Sequence, residues 1–206
     1  MKWTLLTSFL CLLSPVLAQD TSLDEVKRAF DAANIPRDLS INFNPRVLLE
    51  VTFPEPSGSI TLHAGEQLPR DATAGPPSYE AVGTDFTGPF VIAAVDPDAP
   101  TPQEPTSAQI RHFLGGNFFG RSVRDGVEVL RNSTPAISEF LQPTPPAGSD
   151  AHRYVFLLFR QPATFNDQTE ITTQSPISLF NISQFAADVG LGDPIGGTFM
   201  LVAPDA

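Results

Sequence analysis

A chain of 206 residues carrying 12 Lys and Arg against 23 Asp and Glu has a formal charge of −11. That balance excludes the basic face needed by nucleic acids and by adsorption to anionic bilayers. The single cysteine, Cys11, lies in a segment expected to be removed, so thiol catalysis, cysteine-ligated zinc and disulfides are excluded from the mature chain.

Residues 1–18 run from basic Lys2 through the apolar block Leu5–Leu13 to Val16-Leu17-Ala18. This is the pattern of a secretory signal peptide and is too short to span a membrane. The expected destination is the extracellular space or a secretory-pathway lumen such as a vacuole. What remains, about 188 residues, is one domain by size.

Residues 19–42 form an N-terminal helical segment in this reading. Leu23, Val26, Phe30 and Ala33 have helical spacing, Ser22 with Glu25 makes a capping box, and Pro36 ends the helix. The main domain is expected over 43–206. Short β-branched and aromatic runs at Val47–Phe53, Ser59–Leu62, Pro89–Val95, Ile110–Phe119, Arg153–Arg160 and Gly197–Val202 read as strands. Leu68–Gly83 and Thr101–Ser107 read as loops, and 21 prolines argue against a helical protein. Asn181–Val189 reads as a second short helix, with Asn181 as N-cap and Gly190 at C′. The fold class is mainly β.

Asn132 and Asn181 each open an N-glycosylation sequon, consistent with secretion if exposed. A capping role for Asn181 would compete with a glycan.

The chemistry gathers at the ends of apolar runs. Ile92, Ala94, Asp96 and Asp98 share parity on one strand, His152 and Tyr154 on another, and His112 lies in a third. Taken singly, the two aspartates also suit turn caps and His112 a satisfied core histidine. Asp98 is expected to pair with Arg153, and His63 to lie at the surface. Two carboxylates and two imidazoles suit a phosphate-like anion, acid/base chemistry or a metal. A Ser-His-Asp hydrolase would need a positioned serine, and Ser107 and Ser149 carry no nucleophile-elbow pattern.

Asp96-Pro97-Asp98-Ala99-Pro100, His112-Phe113 with Asn117, Pro145-Pro146 and His152-Arg153-Tyr154-Val155-Phe156 resemble the signature of the phosphatidylethanolamine-binding protein family. The resemblance runs from about Phe43 to Val202, through Gln161-Pro162 and Gly190-Leu191-Gly192-Asp193-Pro194. It implies a central antiparallel β sheet with a second, smaller sheet and a few peripheral helices. It also implies an anion pocket made by Asp96, Asp98, His112, Pro145, Gly148, His152 and Tyr154. Both histidines would donate to phosphate oxygens, with backbone N–H groups after Pro146 assisting, and Asp96 would orient a histidine or accept from an ammonium headgroup. His152→Ala is then expected to abolish binding in a protein that stays folded.

The sequence departs from the family pattern in having Ala108-Gln109-Ile110 where Arg-Glu-Trp is common, Ser107 in place of a rim aromatic, and Thr144 in place of a glycine. The chain ends after its last strand without a C-terminal helix, so the pocket is expected to be more open. In this it is similar to the secreted branch that includes carboxypeptidase Y inhibitors. The resemblance implies a non-enzymatic binding protein for a phosphate-containing small molecule or phospholipid headgroup, with a serine carboxypeptidase or other protease as protein partner. No cofactor, metal, nucleic acid or transmembrane segment is expected. The alternative is a hydrolase or isomerase using the His/Asp pocket.

Overall fold

The computed structural model describes residues 20–56, 58–83, 88–124 and 127–205; the expected signal peptide lies outside them. Helix α1 spans Leu23–Ala32, and Ser22 caps it by accepting the Glu25 N–H at 3.4 Å. Val26 and Phe30 are its buried residues, and Phe30 stacks on Phe43 with ring centroids 3.9 Å apart. Pro36 does not terminate α1 as expected. The helix closes earlier, Asn34 takes a left-handed φ of 55°, and Pro36 occupies the first turn of α2, Ile35–Asp38, where its missing N–H costs nothing.

Among the described residues nine strands follow: β1 Leu48–Phe53, β2 Ile60–Thr61, β3 Glu66–Leu68, β4 Ser78–Val82, β5 Phe90–Asp96, β6 Ile110–Arg124, β7 Val127–Asn132, β8 His152–Arg160 and β9 Gly196–Val202. Helix α3, Ile182–Asp188, precedes β9. Asn181 caps α3 by accepting the Gln184 N–H at 3.0 Å, and Gly190 has φ 75° just past its end. The strands form one ladder in the order β2-β1-β4-β7-β6-β5-β8-β9-β3, antiparallel throughout except for β3 on β9.

The smaller sheet is the far wing of this ladder. Long β6 pairs with β5 up to Phe118 and with β7 from Phe118 onward. A register shift lies just before that point, and Asn117 there has φ 55°. Such a bulge bends a strand and lets it serve two layers. The Asn117 N–H donates to Gln161 Oε1 at 2.6 Å and Gln161 Nε2 donates to Asn117 Oδ1 at 2.7 Å, holding the corner.

The curl explains why β5 and β8 read as unbroken apolar runs. Phe90, Ile92, Ala94, Phe156 and Leu158 face the core between the wings, with Leu49, Val51 and Phe53 of β1. Val91, Ala93, Val95, Val155, Leu157 and Phe159 face the helices, with Val26, Phe30, Ile182 and Phe185. A strand covered on both faces needs no polar alternation. β4 lies inside the segment expected to be a loop, and β7 carries no strand expectation. Both alternate buried with half-exposed residues, and their polar positions, Ser78, Glu80, Glu128 and Arg131, hide the pattern.

Glu50 of β1 lies opposite Glu80 of β4 and is 8% exposed. Burial, then the charges of Glu80 and Asp20, push its carboxyl up from 4.5 to about 7. The folded protein therefore keeps a proton that the unfolded chain releases, so this group costs stability as pH rises from 4.5 to 7. Glu50→Gln should leave stability at pH 4 unchanged and raise it at pH 8 by on the order of 1–3 kcal/mol in urea titrations. Equal effects at both pH values would contradict this.

Candidate functional site

The end of β5 delivers Asp96 and the start of β8 delivers His152, on the parity of the inter-wing core. Asp96 Oδ1 accepts the Asp98 N–H at 2.7 Å, and Oδ2 meets His152 Nδ1 at 2.8 Å. Asp96 is thus both turn cap and orienter of the imidazole. His152 is 1% exposed. Its Nε2 lies 2.9 Å from Ser149 Oγ and 3.2 Å from the Pro100 carbonyl.

A carboxylate only accepts, so Nδ1 donates to Asp96, while Nε2 meets a carbonyl that favours its protonation and a hydroxyl able to donate or accept, surroundings that favour the imidazolium. Burial opposes that charge, but the Asp96 hydrogen bond and charge, Asp98 and the Pro100 carbonyl outweigh it and raise the pKa. Gly148, φ 84°, makes the turn in which the Ser149 N–H donates to the Pro146 carbonyl at 3.1 Å. That turn brings Ser149 onto His152. The Ser149 hydroxyl donates to the Asp150 carbonyl at 2.8 Å.

His112 reaches the site by a device that parity does not reveal. Ala94 pairs with Phe113 and Val95 with Arg111, so His112 is the extra residue of a β-bulge. Simple alternation would place it on the face opposite Phe113; the bulge turns it toward Tyr154, with ring centroids 4.9 Å apart and planes at 82°. Its Nδ1 donates to the Leu141 carbonyl at 2.9 Å. Nε2 makes no hydrogen bond among the described residues. Burial lowers its pKa, with the His152 charge adding to that, against the opposing pull of the Leu141 carbonyl and Asp96. Near neutrality, then, His112 is an uncharged acceptor. Burial and the charge of Asp96 push the Tyr154 hydroxyl up, so it stays protonated.

A hollow of about 470 Å³ opens over these groups, lined by Asp96, His112, His152 and Tyr154 together with Ala99, Leu141, Thr144 and Ile177. Of the seven expected site residues, four line it. Asp98 does not: it is 1% exposed and both its oxygens accept from Arg153, Nη2 at 2.6 Å and Nε at 2.9 Å. Pro145 is buried behind the wall and Gly148 is exposed outside it. Leu141, Thr144 and Ile177 come from loops, where no periodic signal could have found them. His152 is not peripheral, so its truncation would strand Asp96 in the interior and test the fold as much as the site.

A larger hollow, about 600 Å³, lies beside α3 and Arg111. The smaller one holds the ionisable groups that converge, which makes it the candidate site. No cluster of three His, Cys, Asp or Glu is arranged for a metal ion among the described residues. His63, expected at the surface, is half-exposed but its Nδ1 lies 2.6 Å from buried Asp20. Both sequon asparagines are exposed; Asn132, at the end of β7, donates from Nδ2 to the Thr134 carbonyl at 2.8 Å, and Asn181 caps α3 through Oδ1. Among the described residues no helix is long and apolar enough to cross a membrane.

The sequence profile of the phosphatidylethanolamine-binding protein matches residues 58–200. The chain belongs to this family. Its relatives include Protein BROTHER of FT and TFL 1 from Arabidopsis thaliana, 29% identical over 158 residues, 76% of this chain and 80% of that protein. Another is a 26 kDa secreted antigen from Toxocara canis, 28% identical over 166 residues; the match covers 78% of this chain and 58% of the antigen. Among solved structures, carboxypeptidase Y inhibitor complexed with its cognate proteinase superposes with a TM-score of 0.75 at 19% identity. That superposition covers 90% of this chain and 98% of the inhibitor. It establishes the shared fold.

Proposed function

We propose that this family member is a secreted, non-catalytic binding protein that holds a phosphate-like anion over His112 and His152 and inhibits a serine carboxypeptidase. The carrying observation is the asymmetry of the two histidines. Protonated, His152 is a buried cation with its nitrogens turned to Asp96, Ser149 and Pro100, so it attracts an anion without bonding to it. His112 lines the same hollow, its Nε2 makes no hydrogen bond among the described residues, and that nitrogen becomes a donor only on protonation. Tyr154 and Thr144 add hydroxyls. Phosphate itself or a phospholipid headgroup has the complementary chemistry.

Secretion is supported by the N-terminal pattern and by the description of the Toxocara relative, and inhibition by the fold shared with carboxypeptidase Y inhibitor. Titration with inorganic phosphate, phosphoethanolamine and a short-chain phospholipid at pH 5 and 7.5 separates free anion from headgroup. A folded protein that binds none of them at either pH has no such pocket function.

One observation favours a second reading, a hydrolase. Ser149, His152 and Asp96 lie in hydrogen-bonded series. The proton inventory opposes it, because an Nε2 that donates to Pro100 has no lone pair to take the serine proton, and the hydroxyl is committed to Asp150. We expect Ser149→Ala to leave the slow turnover of an activated ester such as p-nitrophenyl acetate unchanged. A loss of about a hundredfold or more would establish the hydrolase instead.

A further inference from the structure

We propose that Leu179, at the tip of the loop before α3, is the anchor that this protein inserts into an apolar pocket of a partner protein, the serine carboxypeptidase of the function proposed above. The inference rests on that reading and names the contact surface for it.

Leu179 violates two local rules at once. It is 70% exposed, the most exposed large apolar residue among those described, and its φ of 59° is left-handed. A branched L side chain adopts that conformation at a cost, whereas glycine or asparagine adopts it readily. Folding gains little from an apolar side chain here and pays for its backbone. Strain held at an exposed residue points to function when the surroundings enforce it.

They do enforce it. The Leu179 N–H donates to the Ser107 carbonyl at 3.1 Å, Phe180 and Gln109 exchange backbone bonds at 2.9 and 3.2 Å, and the Arg111 N–H donates to the Ile177 carbonyl at 2.8 Å. The buried Arg111 guanidinium donates to the Ser175 and Pro176 carbonyls at 3.0 and 3.1 Å and lies over the Phe180 ring, 5.1 Å from its centroid. A loop tied this closely is ordered before it meets a partner, which removes part of the entropy cost of binding.

The neighbourhood continues the surface. Ile177 and Leu141, both about 40% exposed, border the anion hollow, and Leu179, two residues beyond Ile177, lines the larger one beside α3. Ile177 and Leu179 thus bring two of the four exposed large apolar residues among those described onto one loop, a clustering that marks interaction surfaces. Glu170 and Asp188 border the larger hollow, so the complementary partner surface is an apolar pocket with a basic rim. A fluid bilayer would not select for one fixed side-chain direction, and a protein pocket does.

The test uses the full mature chain, purified carboxypeptidase Y and other serine carboxypeptidases of apolar specificity. Leu179→Gly and Leu179→Asn both relieve the backbone, so each should leave Tm within about 2 °C of wild type or raise it. Each should also weaken inhibition and direct binding by roughly tenfold or more. Unchanged inhibition in both variants overturns the anchor while leaving the inhibitor reading standing. A fall in Tm of about 5 °C or more in both makes Leu179 structural and also overturns it. A wild type that binds none of the enzymes removes the inhibitor reading and this partner with it. Leu179-dependent capture on phosphatidylcholine vesicles would assign the face to membranes instead.

Discussion

Replacing Asp98 by alanine should lower the unfolding free energy by about 3–5 kcal/mol, the cost of leaving one partner of a buried ion pair uncompensated. Asp98 accepts from Arg153 three times, at Nε, Nη2 and the backbone N–H, and the pair's side chains are 2% and 17% exposed. Arg153 in turn donates to Asp38 at 2.8 Å and to the Ala33 carbonyl, so it ties both N-terminal helices to the start of β8. Burial alone would lower the arginine's pKa, and the bonds and charges of Asp98 and Asp38 raise it instead. Without Asp98 the guanidinium keeps only the half of its shell that points toward the helices. Urea denaturation is the check, and hydrogen exchange should show protection lost first in α1 and α2. A loss under about 1 kcal/mol would mean that the pair adds nothing beyond what water supplies.

Only the Arg153 side of that pair was readable from alternation, since Arg153 and His152 are neighbours on opposite faces of β8; Asp98 shares the parity of Asp96, but the strand ends at Asp96 and the turn carries Asp98 to the other face. The same parity placed Asp96, His152 and Tyr154 together. It worked because β5 and β8 keep regular register with each other from Phe90–Arg160 to Val95–Val155. It failed for His112, because a bulge adds one residue and reverses the face, and nothing in Ile110-Arg111-His112-Phe113 announces it. Ser149 was legible only as an unpositioned serine; the turn at Gly148 that places it makes it a prop for His152. The caps of α3 were legible because Asn and Gly have local, stereochemical reasons to be where they are. β4 and β7 were not, because polar Ser78 and Glu80 take the more exposed positions of β4 and Glu128 takes a buried position of β7, so neither shows an apolar alternation.

The two histidines predict opposite responses to pH. Protonating the site should strengthen phosphate binding by roughly tenfold or more between pH 7.5 and 5, the worth of one added charge-assisted hydrogen bond of about 1.5–3 kcal/mol. The change belongs to His112, whose folded pKa lies below the ordinary 6.5. The unfolded chain therefore takes up that proton first, and His112 withdraws stability as pH falls through 6.5. His152 runs the other way: its raised pKa contributes stability that is complete below 6.5 and is lost as pH rises through its folded value. A bound anion repays what His112 costs, so phosphate should raise Tm more at pH 5 than at pH 7.5. His112→Phe keeps an aromatic edge against Tyr154 and removes the titrating nitrogen. It should flatten the affinity profile while preserving the fold, as calorimetry at the two pH values would show. A variant that still binds more tightly at pH 5 would transfer the switch to another group. An acid-favoured ligand site and a Glu50 carboxyl that is comfortable only when protonated then point the same way: phosphate binding and this carboxyl's own contribution to stability both improve as the surroundings acidify, and the bound anion offsets what His112 costs.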